Sequence, residues 1–280
     1  MIVMIRKLIL VMTTRKILLN NLLDIGGVAT LNNLYSPSAK TYKGSLLFTR
    51  KLFKEYLNEN LIERIDPIGK PMNKSREVFY CLTKKGAKYI GRTDEYKYKK
   101  YQKSPNNVMH ESMKFDVALS FLRLFPHSKF TFRYDSSFYG VQPDILIRVE
   151  TSDPKELTRF ILVEIERKKT IDRVFNEKIK RYEAMFKNIE KNKSHNINQF
   201  TVLFVYADIW FDVFLRLQQY SDPAVSDHIE RINALVKNLI HNYCSHLPDV
   251  RYRFTGFPNF YRLHDTVWHT PKGNRIAIRV

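Results

Sequence analysis

Apolar positions recur at helical spacing from Thr13 to Ile25, where Ile17, Leu18, Leu22 and Ile25 fall on one side. Thr13 and Thr14 can cap the start and Gly26-Gly27 ends the run, which predicts a first helix. Val28–Tyr35 reads as a short second helix stopped by Ser36-Pro37. Ser45–Asn60 predicts a third, with Leu46, Leu52, Phe53, Tyr56 and Leu57 inward and Thr49, Arg50, Lys51 and Lys54 left for a partner. Leu61–Ile65 then reads as a strand, and Asn60 supplies the junction residue that tolerates a left-handed backbone. A loop with Pro67, Gly69 and Pro71 leads to a second strand, Glu77–Leu82, and LTKKGAKYIG returns to helix.

The pattern changes beyond residue 92. Residues 93–107 alternate Tyr and Lys without an apolar face and read as a basic linker. Val108–Phe125 is an amphipathic helix carrying His110, Glu111 and Asp116, with Pro126 after it. Strand-like runs follow at Lys129–Tyr134, Asp144–Glu150, Phe160–Glu166 and Phe200–Tyr206. A long helix from Ile171 to about Lys191 separates the last two, and another covers Val225–Tyr243. Short strand-like pieces close the chain at Arg251–Phe254, Thr266–His269 and Ile276–Val280. Val267–His269 would finish the sheet or cover a site. Strands that alternate with helices imply an α/β sheet domain over residues 108–280.

Composition narrows the class. At 44% hydrophobic and 13% aromatic, with 9 Gly and 11 Pro, the chain can bury real cores and is neither disordered nor fibrous. Cys81 and Cys244 lie far apart and fit no disulfide scaffold or zinc spacing, which points to a reducing compartment and a cytoplasmic location. The apolar stretch Ile2–Met12 is broken by Arg6 and Lys7, too short for a membrane span or a signal peptide. No P-loop or GxGxxG sequence points to nucleotide use, and His110, His264 and His269 follow no metal spacing.

The net charge of +19 is unevenly spread. Residues 1–103 carry 21 Lys and Arg against 8 Asp and Glu, whereas residues 104–280 carry 26 against 20. So dense a positive field strains the compact state, and a polyanion that releases its counterions on binding relieves it. Double-stranded DNA is the expected partner. Three helices, a hairpin and a closing helix over residues 1–92 make a winged helix-turn-helix, whose helix fits the major groove while phosphate contacts set its register. Candidate contacts are Tyr42, Lys43, Thr49, Arg50 and Lys54, with Lys70, Lys74 and Arg76 on the wing. A solvated basic surface and a protein-docking module are the alternatives.

Chemistry enters at two neighbouring strands, PDILIRV and FILVEIERKK, apolar on both faces yet carrying carboxylates at an end. Alternation puts Glu164, Glu166 and Lys168 on one face, and Asp144 opens the other strand. Acidic groups on a buried sheet are costly without a cation, and hard cations such as Mg²⁺ take carboxylate oxygens. A lysine beside them can position a water for attack on a phosphodiester. The competing reading makes these residues the solvated end of a strand.

Pro143-Asp144, then Glu164-x-Glu166-x-Lys168, resembles the PD-(D/E)xK nuclease superfamily, and Lys178 and Tyr182 in FNEKIKRYEAMFK resemble an element that follows that site. More narrowly, a winged helix, a helix beginning at His110, the Pro143-Asp144 strand, Glu164-Ile165-Glu166-Arg167 and Lys178/Tyr182 together resemble the replication-relaxation family of plasmids and mobile elements. The resemblance implies a restriction-endonuclease-like mixed sheet. It also implies action in DNA replication, relaxation or transfer alongside other proteins of those processes, with Asp144, Glu164, Glu166 and Lys168 catalytic. Asp144, Glu164, Glu166 and Glu111 would then bind Mg²⁺, and Lys178 or Tyr182 would touch the DNA backbone. One departure stands: read from Glu164, the usual lysine position holds Glu166, whereas read from Glu166 the lysine is Lys168; an acid there is tolerated in some nucleases and also occurs in members that kept the fold for binding alone. A nickase, a non-catalytic scaffold and a transcriptional regulator therefore all remain open.

Overall fold

The computed structural model describes residues 15–23, 28–30, 46–65, 79–96, 105–125, 128–150, 158–167, 172–192, 195–207, 223–256 and 267–278. The chain divides into two compact units, residues 1–119 and 120–280. In the first, residues 15–23 are helical (α1) and bury Leu18, Leu19 and Leu22. There follow β1 (Val28–Thr30), α2 (Leu46–Asn58), β2 (Ile62–Ile65), β3 (Phe79–Leu82) and α3 (Lys84–Tyr89). The strands form an antiparallel sheet in the order β1-β3-β2.

The expectation of a helix starting at Val28 is corrected. Val28 and Thr30 are β-branched and stiff at χ1, and they pair with Cys81 and Phe79 of β3, so strand pairing wins over helical spacing. Residues 31–35, the rest of that expected helix, lie outside the described residues. The other elements fall where the pattern placed them. α2 buries Leu52, Phe53 and Tyr56, and Asn60 takes the left-handed backbone after it (φ 56°).

Thr83 opens α3 by accepting the Gly86 N–H at 3.0 Å, while its own hydroxyl faces the Asn60 carbonyl at 2.7 Å. This cap ties α3 to the start of the β2-β3 hairpin. Gly86 is buried there, and a Cβ on it would sit 2.1 Å from the Leu61 carbonyl oxygen. A Thr93–Glu95 turn of 3₁₀ helix follows, and α4 runs Pro105–Leu124. The last residues of the expected linker are therefore helical, because proline at the first helical position has its φ already set.

The second unit is built on a seven-stranded mixed sheet. Its strands are β4 (Lys129–Tyr134), β5 (Ile145–Glu150), β6 (Arg159–Arg167), β7 (Phe200–Ala207), β8 (Tyr252–Gly256), β9 (Trp268–His269) and β10 (Arg275–Ile276), and their order in the sheet runs from β10 to β4. β6, β7 and β8 are parallel, and the pairs outside them are antiparallel. The mixed α/β class agrees with the sequence pattern, and Trp268–His269 extends the sheet. Helix α5 (Asp172–Asn192) crosses between β6 and β7, and α6 (Pro223–Leu239) continues into a π turn at Ile240–Cys244. α5 lays Phe175, Ile179, Tyr182, Met185, Phe186 and Ile189 into a core with Leu162, Phe204, Tyr252 and Phe254. Cys81 and Cys244 are buried and form no disulfide among the described residues. No helix among the described residues is long and apolar enough to cross a membrane.

Gly86→Ala should lower stability by about 1–3 kcal/mol, because the Leu61 main chain cannot yield to the new methyl group. Thermal or urea unfolding checks it, and unchanged unfolding would mean that α3 and β2 do not meet this closely.

Candidate active site

The site stands at the end of β6. Hydrogen-bonded neighbours on both sides bury this strand, which explains its apolar run RFILVEIER and makes its two glutamates the anomaly. Glu164 and Glu166 point to the same face, two residues apart. They are 5% and 4% exposed. Ile145 pairs with Val163, so the antiparallel register carries Asp144, one residue before β5, opposite Glu164. The Asp144 carboxylate accepts the Ile165 N–H at 2.7 Å, which fixes it at the strand end.

Helix α5 supplies the cation. The same helical face that buries Phe175 and Ile179 sets Lys178 and Tyr182 one turn apart above the glutamates. Lys178 Nζ donates to Glu164 Oε2 at 2.8 Å and also reaches Glu166 Oε1. Tyr182 Oη donates to Glu164 Oε1 at 2.5 Å. Across β7, Phe204 stands opposite Glu164 and Tyr206 opposite Glu166.

Electrostatics follow from this burial. Desolvation dominates at Glu164; Lys178 pulls its carboxyl down, Asp144 pushes it up, and the result lies at about 7 against an ordinary 4.5. Burial works against the Lys178 ammonium, but Glu164, Glu166 and Asp144 outweigh it and hold it above its ordinary range. Burial, then Glu164, pushes the Tyr182 hydroxyl well up, so it stays a donor.

The geometry places the other expected site residues as follows. Tyr182 is 1% exposed and donates to Glu164. Lys178 meets the two glutamates and is partly exposed. Among the described residues no group of three or more His, Cys, Asp or Glu side chains is placed to hold a metal ion. Lys178 sits against both glutamates, and Glu111 lies in the first unit, where Lys114 reaches it at 3.1 Å with both groups buried. Lys168 lies outside the described residues, as do Tyr42, Lys43, Lys70, Lys74 and Arg76. Thr49 lies in α2, and Arg50 and Lys54 are exposed on it.

Sequence reasoning passed over Tyr206. Its buried hydroxyl has no hydrogen-bond partner among the described residues, and burial followed by the Glu166 charge pushes it well up. The apolar run FTVLFVY hid it as an ordinary core residue.

Residues 27–201 match the family described as Replication-relaxation, a span that takes in β1 through the start of β7 and every residue of the cluster. The chain belongs to the replication-relaxation family. No curated protein matches it. Among solved structures it is similar to the restriction endonuclease FokI at 12% identity and a TM-score of 0.31, over 89% of this chain and 43% of that one. The chain thus spans less than half of FokI, and a TM-score this low leaves that likeness without weight for fold or activity.

The pH dependence has a definite sign. Between about pH 4.5 and 7 the folded state retains a Glu164 proton that the unfolded chain has lost. The group's stabilising contribution is therefore complete below 4.5 and disappears as pH rises to about 7. Against Glu164→Gln, the wild type should lose up to about 3 kcal/mol of relative stability across that window. Urea unfolding of both proteins from pH 4.5 to 8 reads it; a constant difference would mean that Glu164 titrates normally.

Proposed function

We propose that this replication-relaxation protein binds double-stranded DNA of a plasmid or other mobile element and acts on it in replication, relaxation or transfer. The first unit is the DNA-binding part, a winged helix-turn-helix. Its order of helix, strand, helix, hairpin and helix supports that reading, as do the net charge of the first third of the chain and the exposed Arg50 and Lys54 on α2. The second unit is a nuclease-like domain that nicks or cuts a phosphodiester with Mg²⁺.

The observation that carries the catalytic reading is the Asp144–Glu164 pair. Two carboxylates of adjacent strands lie close enough that Asp144 raises Glu164, and a cation between them would relieve that repulsion. Their oxygens suit Mg²⁺, which is usually held by one or two carboxylates together with substrate phosphate oxygens. Asp144 and Glu164 would hold it. Bound there, Mg²⁺ would supply positive charge at phosphate oxygens and orient and acidify a bound water. Tyr182 fixes the Glu164 rotamer, and Lys178 holds Glu166 and offers positive charge where phosphate charge develops.

A second reading is favoured by one contact. Lys178 reaches both glutamates, so the cluster is compensated from within, as a fold kept for binding alone would be. In that case the protein is a DNA-binding scaffold or regulator.

Supercoiled plasmid with Mg²⁺ or Mn²⁺ separates the two. Nicking by the wild type, abolished in Asp144→Ala and Glu164→Ala with DNA binding intact, is the expected result. No cleavage of any DNA form would leave the scaffold reading. Arg50→Ala with Lys54→Ala should weaken duplex binding and reduce its salt slope by about 1.8, roughly 0.9 for each phosphate that is no longer neutralised. Unchanged binding would move the contact surface off α2.

A further inference from the structure

A cleft of about 510 Å³ opens on the acidic cluster's own sheet face, toward the β4 edge. Its lining includes Arg133, Arg148, Phe138, Phe160 and His195 and no carboxylate. We propose that this cleft binds a single-stranded segment of DNA, bases against the aromatic rings and phosphates on the two arginines. The inference rests on the reading that the second unit acts on DNA, and names the part of the substrate that it holds.

Register builds the basic side. Thr131 pairs with Arg148 and Arg133 with Leu146, so Arg133 and Arg148 are diagonal neighbours on one face of β4 and β5. Both are exposed, and neither meets a carboxylate among the described residues. Like charges so placed repel, and an anion between them removes the penalty.

The aromatic side comes from three separate segments. Phe138, from the loop between β4 and β5, lies 5.4 Å from Phe160 of β6. His195, after α5, lies 5.6 Å from Phe160 and 5.8 Å from Phe200. Phe138 and Phe160 are only half-buried. A partly open aromatic surface beside guanidinium groups is the combination that holds an unpaired base together with its phosphates. A duplex keeps its base faces in its own stack and cannot offer them, so the occupant is single-stranded.

Position links the cleft to the cluster. Phe160 lies four residues before Glu164 on β6, on the same face, about 13 Å along the strand. Arg148 is opposite Phe160, and Asp144 precedes it by the same four residues. Leu146 and Leu162, the pair between them on this face, are buried under α5, so the cleft and the carboxylates share the sheet face but are separated by core.

The test uses the full chain, a fluorescent oligothymidylate, thymidine monophosphate and a duplex of equal length. Arg133→Gln with Arg148→Gln should weaken oligothymidylate binding at least tenfold and lower its salt slope by about 1.4, roughly 0.7 for each arginine. Melting temperature and duplex binding should stay as in the wild type. Phe138→Leu, which keeps an apolar side chain there, should also weaken the oligonucleotide. Photo-crosslinks from bromodeoxyuridine should fall within residues 128–150, 158–167 or 195–200. Equal oligothymidylate affinity in the arginine variant, or crosslinks only elsewhere, would overturn the proposal. So would thymidine monophosphate binding as tightly as the oligonucleotide, which would mark a free-nucleotide site. Duplex binding without oligothymidylate binding removes the cleft proposal and leaves the DNA-binding reading intact; binding of neither removes both.

Discussion

Two carboxylates persist on a buried sheet face because one lysine of an overlying helix reaches both. The contact of Lys178 with Glu164 and Glu166 is what lets β6 be an inner strand and an acidic one together. Burying an ionised carboxylate without a partner costs far more than a single domain can offset. The lysine is delivered only if α5 packs in one rotation, and Phe175, Ile179, Tyr182 and Met185 determine that rotation. Hydrophobic packing of the helix and electrostatics of the site are thus a single constraint.

That constraint is incomplete. Glu164 remains raised although it accepts from both Lys178 and Tyr182, since burial and Asp144 outweigh them. Raised carboxylates beside a fixed cation characterise sites where charge changes hands, although structural ion pairs also produce them. The cluster lies within the span that matches the family. The sheet face continues past the cluster into an arginine and aromatic surface. One face therefore carries opposite charges at its two ends.

Much of this was legible from residue order. Helical spacing located α2 and α5 to within a few residues, period-two alternation put Glu164 and Glu166 on one side, and Lys178 and Tyr182 stood out at i, i+4. The short β1 was misread because three residues carry too little periodicity to distinguish a strand from a helical turn, and only pairing with β3 decides it. Arg133 and Arg148 went unnoticed for a related reason. The alternation of KFTFRY marks Lys129, Thr131 and Arg133 as one face of an edge strand, but nothing local says that Arg148 and Phe160 join them.

By itself the sequence determined the longer elements, the α/β class of the second unit, the basic excess of the first third and the identity of the acidic residues. Those properties follow from side-chain chemistry at intervals of two or three to four positions. Tertiary structure decided which cation meets the carboxylates. Lys168 and Lys178 were both candidates along the chain, and α5 brings Lys178 onto the glutamates from above. It also decided that Tyr182 faces inward and that Glu111 is met by Lys114. Pairings between residues far apart in sequence depend on how helices rotate and strands register against one another, and no local spacing encodes that.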